Sequence, residues 1–286
     1  MIWWDVAKKE IRANITSPKV VITYMVCTVL ILAAVITGAS NYLALKYEAL
    51  SQQANERERL ANIYNYQQDF LQQGANLYRE PDVLSVLVSG VEGDAARRAT
   101  ITTFYSANFD VSKFNSNPVL AIFGLLDLSF IVKMILSLFA ILFTFDAVSG
   151  EREMGTLKLN LANEVKRSSI IIGKLVGNFL LLFIPFVIPL IIGLLILQFI
   201  PGVVFDGETW ARAGLIFVAF VLYLMAFYSM GIMVSSLTKN SSISFLVLLM
   251  LYVLFIAIVP RVAVLTAQTV QPVPSIDEVR KDVIMA

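Results

Sequence analysis

The stretch "FDAVSGEREMGTLKLNLANEVKRSS", residues 145–169, decides the architecture because it places charges of both signs between two strongly apolar segments. The charged residues are Asp146, Glu151, Arg152, Glu153, Lys158, Glu164, Lys166 and Arg167. Ionised side chains are costly in hydrocarbon, so this stretch must lie in water or against another protein. The apolar segments on either side are long enough to cross a bilayer core of about 30 Å.

The composition of the whole chain indicates an integral membrane protein. Of its 286 residues, 58% are hydrophobic and 15% are charged, whereas soluble domains carry about 25% charge. The net charge of +1 argues against nucleic acid as a partner. The chain has no histidine and a single cysteine, Cys27, which excludes histidine-based catalysis and an intrachain disulfide. We therefore expect no catalytic residue, no metal site and no cofactor bound by this chain.

The hydropathy pattern predicts an all-α membrane protein with an N-terminal interfacial helix, five spans and a small α+β insertion outside the membrane. The predicted boundaries are 1–18 for the amphipathic interfacial helix, 19–42 for span 1, 43–118 for an extracytoplasmic stalk and small cap, 119–145 for span 2, 146–169 for a cytoplasmic segment, 170–198 for span 3, 211–236 for span 4, 243–260 for span 5 and 261–286 for an extracytoplasmic tail.

The distribution of Lys and Arg predicts the orientation. Bases are concentrated in residues 1–19 and 146–174, whereas the short loop before span 4 holds Asp206 and Glu208 instead. The positive-inside rule places the N-terminus and residues 146–169 in the cytoplasm. We predict a multi-pass protein of the inner (cytoplasmic) membrane, in contact with its lipid.

The long outer loop has a pattern of its own. Apolar residues at heptad spacing continue from span 1 through Leu43, Tyr47 and Leu50 towards Leu71, which predicts a helical stalk that packs on another helix. The segments "VLSVLVSG" (83–90) and "ATITTFYS" (99–106) have the composition of two short strands around a turn.

The cytoplasmic segment has an order that a merely solvated loop would not require. The run Glu151-Arg152-Glu153 is followed by Gly155, which permits a sharp turn. Thr156 is suited to cap a following helix that Leu157 opens. A short helix of this kind would dock into a groove of a soluble partner and pass its movement to the adjoining spans.

Two motifs carry a resemblance to a known family. "FDAVSGEREMGTLKL" (145–159), followed by "VKRSSIIIGKLVGNF" (165–179), resembles the type-2 permeases of ABC exporters, in the subgroup with an enlarged extracytoplasmic loop. The residues that match are Glu151, Arg152, Gly155, Thr156, Leu157, Gly173 and Lys174.

The resemblance implies a half-transporter. Two permease subunits, identical or different, would pair with two cytoplasmic ATPase subunits that bind ATP and Mg, and the coupling to the ATPase would fall on Glu151, Arg152, Glu153, Gly155, Thr156 and Leu157. Family members are expected to have six spans, so the sixth is expected beyond this chain. The chain itself is not expected to be an enzyme, because Ser168 and Leu175 stand where a Walker A loop requires Gly and Ser or Thr.

Two charges fall within predicted span 2. Lys133 lies near its middle and Asp127 nearer the outer side, and their offset of six residues places them on different helix faces. Charges at that depth face a cavity or a partner, so both are candidates for a translocation path or an inter-subunit polar contact. A structural ion pair or a snorkelling lysine remains the alternative for Lys133.

Two other functions fit the sequence. The first is an ABC-like mechanotransmission complex that acts on an envelope partner through the stalk without transporting solute. The second is an ion-coupled carrier, which the small number of intramembrane charges and the absence of an evident inverted repeat argue against.

Overall fold

The structure is a computed structural model that describes residues 2–62, 74–90, 98–101, 108–109, 127–156 and 167–270. Within these ranges, five helices are long and apolar enough to cross a membrane. The prediction of an all-α membrane protein with five spans is therefore confirmed.

The N-terminal helix α1 (Ile2–Asn14) is followed directly by α2 (Pro18–Ala61), which contains span 1. Pro18 occupies the first turn of α2, where its missing amide hydrogen costs nothing. The 44 residues of α2 span about 66 Å, twice the thickness of a hydrocarbon core. The part of α2 beyond residue 42 is thus long enough to project from the membrane as the predicted stalk.

The remaining described elements of the membrane part are four long helical regions and a short helix. Span 2 is α3, which consists of an α-helical turn (Leu128–Phe130), a π-helical segment (Ile131–Leu136) and an α-helix (Ser137–Thr144). The short helix α4 (Ser149–Glu153) follows, and then α5 (Arg167–Gln198) and α6 (Gly207–Leu237), which contain spans 3 and 4. Span 5 lies in α7, which consists of an α-helix (Ser241–Val253), a π-helical segment (Leu254–Ile258) and a second α-helix (Val259–Val270). The first eight residues of predicted span 2, 119–126, lie outside the described residues, as do residues 271–286 of the predicted tail.

The core of the membrane part forms where α2, α3, α5 and α6 meet. Its largest fully buried side chains include Ile31, Leu136, Phe186 and Tyr228, one from each helix. By contrast, only 11% of the most apolar 18-residue stretch of α7 is buried within the chain. Most of the surface of α7 is therefore available to lipid or to another chain.

A three-stranded antiparallel sheet packs beside the stalk in the order β1 (Ala75–Tyr78), β2 (Arg98–Ile101) and β3 (Asn108–Phe109). The prediction of a strand at 83–90 was wrong, because Val83–Val86 forms a 3₁₀ helix that Asp82 caps by accepting from the Leu84 amide. The second predicted strand, 99–106, coincides with β2 over residues 99–101, and residues 102–106 lie outside the described residues; β2 pairs with β1 and β3.

Glu56 anchors this sheet to the stalk. Its carboxylate accepts from the guanidinium of Arg59 and, at 2.9 Å, from the backbone amide of Asn76 in β1. These hydrogen bonds lower the pKa of Glu56 to about 2. Two of the apolar residues at heptad spacing on the stalk, Tyr47 and Leu50, are 63% and 41% exposed. The packing of the stalk against another helix therefore stays a prediction.

Candidate functional site

The charged stretch begins with a compact elbow, defined here as residues 145–156. The chain leaves α3 in a turn at 145–148 and enters the short helix α4, and Gly155 then adopts a φ of 75°, which favours glycine. Ser235, near the end of α6, accepts from the amides of Val148 and Ser149 at 3.0 and 3.1 Å and donates to the Phe145 carbonyl. This hydroxyl satisfies amides that the start of a helix leaves without partners. The elbow is thereby held against span 4.

Glu151 points from α4 to the start of span 3. Its Oε1 lies 3.0 Å from Nζ of Lys174, and the same ammonium lies 2.7 Å from Oε1 of Glu10 on α1. The side chain of Lys174 is only 3% exposed, so solvent screens these pairs little. One cation thus joins three elements: the N-terminal helix, the elbow and span 3.

Arg152 points to the end of span 4. Its Nη1 and Nη2 donate to the carbonyls of Thr238 and Ser236, both at 2.8 Å. Carbonyls at a helix C-terminus lack partners within the helix and carry partial negative charge, so a guanidinium is favourable there.

Glu153 points to the start of span 5. Its Oε2 accepts from the hydroxyl of Ser241 at 2.9 Å and from the Ser241 amide at 3.3 Å. The N-cap residue of α7, Asn240, makes no side-chain capping bond, so Glu153 supplies the acceptor from outside the helix.

The three charged residues predicted to couple to an ATPase are therefore brought together, and their charges face spans of this chain. The exposed surface of the elbow runs from Arg152 to Thr156, and its tip is Met154, which is 73% exposed, with Gly155 and Thr156 beside it. The Thr156 hydroxyl donates to the Glu151 carbonyl at 3.3 Å. Leu157, the last predicted coupling residue, lies outside the described residues, and the capping role of Thr156 stays a prediction.

The N-terminal helix α1 packs tightly across the start of span 3. A Cβ at Gly173 would lie 2.6 Å from the Trp3 carbonyl oxygen, and one at Gly177 would lie 2.9 Å from that of Ala7. Glycines four residues apart permit such a close crossing. The spacing of Gly173 and Gly177 is present in the sequence and could have predicted this close packing of α1 against span 3, which the sequence analysis did not include.

A second, more exposed ion pair closes the same junction. Lys19, at the start of span 1, lies 2.7 Å from Asp146 of the elbow, and its ammonium lies 4.8 Å from the centre of the Phe145 ring. Between α1 and the elbow lies a cleft of about 260 Å³ whose lining includes both ion-pair systems.

Asp127 and Lys133 lie away from the elbow. Asp127 caps α3, since its carboxylate accepts from the Phe130 amide at 2.8 Å and from the Ser89 amide at 3.1 Å. Lys133 lies in the π-helical segment with its side chain exposed. It stands about 9 Å along the helix from Asp127 and about 20 Å from Asp146, and is thus nearer to the midpoint between them than to either of the two. Whether either residue lines a path stays a prediction.

No cluster of three or more metal-ligating side chains occurs among the residues that the structure describes. A family model described as "ABC-2 family transporter protein" matches residues 4–283, nearly the entire chain. No curated protein matches the chain.

Proposed function

Since the chain belongs to the ABC-2 family of transporter proteins and is thus a membrane permease subunit of an ABC transporter, we propose that its elbow relays ATP-driven motion to a translocation path. Separate cytoplasmic ATPase subunits would bind ATP and Mg and hydrolyse ATP. Two permease subunits would enclose the path, and the direction of transport would be export.

The observation that carries this proposal is the set of contacts made by three successive residues. Glu151, Arg152 and Glu153 connect α4 to the adjacent ends of spans 3, 4 and 5, respectively, the ends predicted to be cytoplasmic. A force applied to α4 therefore reaches three spans through direct polar contacts. A solvated loop that only fixed topology would need no such connections.

The exposed tip of the elbow is the docking surface in this proposal. Because the charges of Glu151, Arg152 and Glu153 are engaged with spans, the ATPase would contact Met154, Gly155 and Thr156, together with the segment that Leu157 opens. Gly155, with its φ of 75°, adopts a conformation that favours glycine and permits a turn at the end of α4.

Replacing Met154 by Glu tests the docking surface without touching the polar contacts of the elbow. Val204, in the loop between spans 3 and 4, is the matched control because it is 70% exposed, against 73% for Met154. We expect M154E to abolish co-purification of the ATPase with the permease and V204E to leave it intact. Equal recovery of the ATPase with M154E and with the unaltered chain would contradict docking at the tip.

The stalk favours the mechanotransmission complex as a second candidate. Residues 43–61 of α2 extend for about 28 Å beyond predicted span 1, and Glu56 fixes β1 to them. In this alternative, elbow movement would tilt the stalk against an envelope partner. Replacing Gln53, Glu56 and Arg59 by Ala removes the polar contacts by which these residues hold β1 to the stalk, so solute transport that survives this change favours the exporter.

A further inference from the structure

The π-helical segment of span 2 exposes backbone carbonyls at the level of Lys133. The Lys133 carbonyl accepts from the hydroxyls of Ser137 and Tyr223, the latter at 3.3 Å. The next carbonyl, that of Met134, accepts from the Tyr252 hydroxyl at 2.7 Å. A π-helical segment breaks the regular bonding of an α-helix and often marks a functional site.

These contacts form a polar belt, defined as Lys133, the Met134 carbonyl, Ser137, Tyr223 and Tyr252. It joins spans 2, 4 and 5, and both tyrosines are partly buried against the core while Lys133 is exposed beside them. Within the described residues, the Lys133 ammonium has no ion pair and no hydrogen bond. The belt therefore includes a cation that the described residues of this subunit do not neutralise.

The predicted spans of a second copy would offer it no unengaged carboxylate either. None of the predicted spans contains Asp or Glu except span 2, whose Asp127 is engaged in capping α3. A lysine within a span is costly unless it reaches water or a partner. Neither lipid tails nor the described parts of a paired subunit supply a negative charge at this depth.

We propose that the polar belt is a binding subsite for an anionic group of the transported substrate, a carboxylate or a phosphate. The inference rests on the proposed function, because it requires Lys133 to face the path between two permease subunits. In the bound state the Lys133 ammonium supplies the charge for the anion. Lys133 is exposed in the same π-helical segment whose carbonyls accept from the hydroxyls of Ser137, Tyr223 and Tyr252, so the segment offers polar groups as well as a cation.

Cysteine labelling tests the belt. The single native thiol, Cys27, is fully buried and is replaced by Ala; Met134, 40% exposed and next to Lys133, is then replaced by Cys. The permease, in membrane vesicles with its ATPase, is treated with the anionic reagent 2-sulfonatoethyl methanethiosulfonate or the cationic 2-(trimethylammonium)ethyl methanethiosulfonate. Ile184→Cys on span 3, with the parent residue 43% exposed, is the lipid-facing control.

We expect the cysteine at 134 to prefer the anionic reagent by about tenfold, the lower end of what a charged cleft provides. Lys133→Met should remove that preference and Lys133→Arg should retain it, while the cysteine at 184 reacts with neither reagent. The inference is overturned if the cysteine at 134 is unreactive, as beside a lysine that snorkels in lipid. Equal rates with both reagents, or a preference that survives Lys133→Met, also overturn it.

Protection from labelling identifies the source of the anion. Slower labelling at 134 in vesicles containing phosphatidylglycerol than in pure phosphatidylcholine assigns the site to a lipid headgroup. Slower labelling on addition of inorganic phosphate assigns it to a soluble anion, and protection by neither overturns the site. Co-purification of the ATPase, measured on the same vesicles, reports separately on the proposed function.

Discussion

Replacing Lys174 by Met is the most demanding perturbation of the elbow, because it leaves Glu10 and Glu151 facing each other without a cation. Their side chains are 14% and 17% exposed. At the observed 2.7 and 3.0 Å, each pair attracts by about 6 kcal/mol at an effective dielectric constant near 20, before the cost of desolvation. Desolvation offsets much of this gain, but removing one partner of a buried ionic group costs about 3–5 kcal/mol.

We therefore expect the Lys174→Met permease to unfold at a clearly lower temperature in detergent. Lys19→Met is the matched control, because its pair with Asp146 is exposed at 49% and 37% and is worth at most about 1 kcal/mol. The measurement is the loss of the monodisperse peak on size-exclusion chromatography after stepwise heating. A midpoint for Lys174→Met equal to that of Lys19→Met would refute the energetic reasoning.

A triple variant separates stability from relay. Lys174→Met, Glu10→Gln and Glu151→Gln together remove the stranded carboxylates, so the melting temperature should recover most of its loss. The cation that joins α1, the elbow and span 3 is still absent. We expect the ATPase to co-purify while its stimulation by the permease falls; full stimulation in the triple variant would show that Lys174 serves stability alone.

Three further predictions concern other contacts. Gly177→Ala should destabilise the permease by about 1–3 kcal/mol through displacement of α1, measured by the same heating assay, whereas Gly214→Ala, whose Cβ would meet nothing within 4 Å, should not. Arg152→Lys cannot reach both carbonyls at the end of span 4, so ATPase stimulation should fall about fivefold with co-purification intact; unchanged stimulation would contradict the role of the bidentate contact. The folded structure lowers the pKa of Glu56 from 4.5 to about 2, so its carboxylate stabilises the cap by at most about 3 kcal/mol. This contribution is complete above pH 4.5 and is lost as the pH falls towards 2. Glu56→Gln should abolish this pH dependence, measured by amide hydrogen exchange of β1, and an unaltered pH profile would contradict the prediction.

The sequence was sufficient for the membrane architecture because hydrophobic length and charge placement are local properties. The runs around Ile31, Phe186 and Leu248 gave spans 1, 3 and 5, and Pro18 marked the start of α2. The strand expected at 83–90 failed because a composition rich in Val and Leu also suits a buried 3₁₀ helix. Val86 and Leu87 are buried there, and the Val86 carbonyl lies where a Cβ at Gly38 would stand.

The sequence also pointed to the elbow residues, but it could not give the direction of their side chains. Glu151, Arg152 and Glu153 were expected on a surface offered to a partner. Their contacts depend on where Lys174, Thr238 and Ser241 arrive, and these positions are set by the packing of three spans distant in sequence. Only the Gly173–Gly177 spacing carried local information about that packing.

The placement of charges distinguishes the two ends of the proposed relay. At the elbow, each cation that contacts a span has a defined acceptor: two carboxylates for Lys174, two carbonyls for Arg152 and one carboxylate for Lys19. Such matched charges hold elements together, and their replacement should first affect stability or coupling. Lys133 differs because the described part of the chain offers its ammonium no acceptor, although a span is where an unmatched charge costs most. A charge that is kept at that cost and left unmatched by the described residues is the observation on which the proposed anion subsite rests: a ligand would supply the opposite charge during transport.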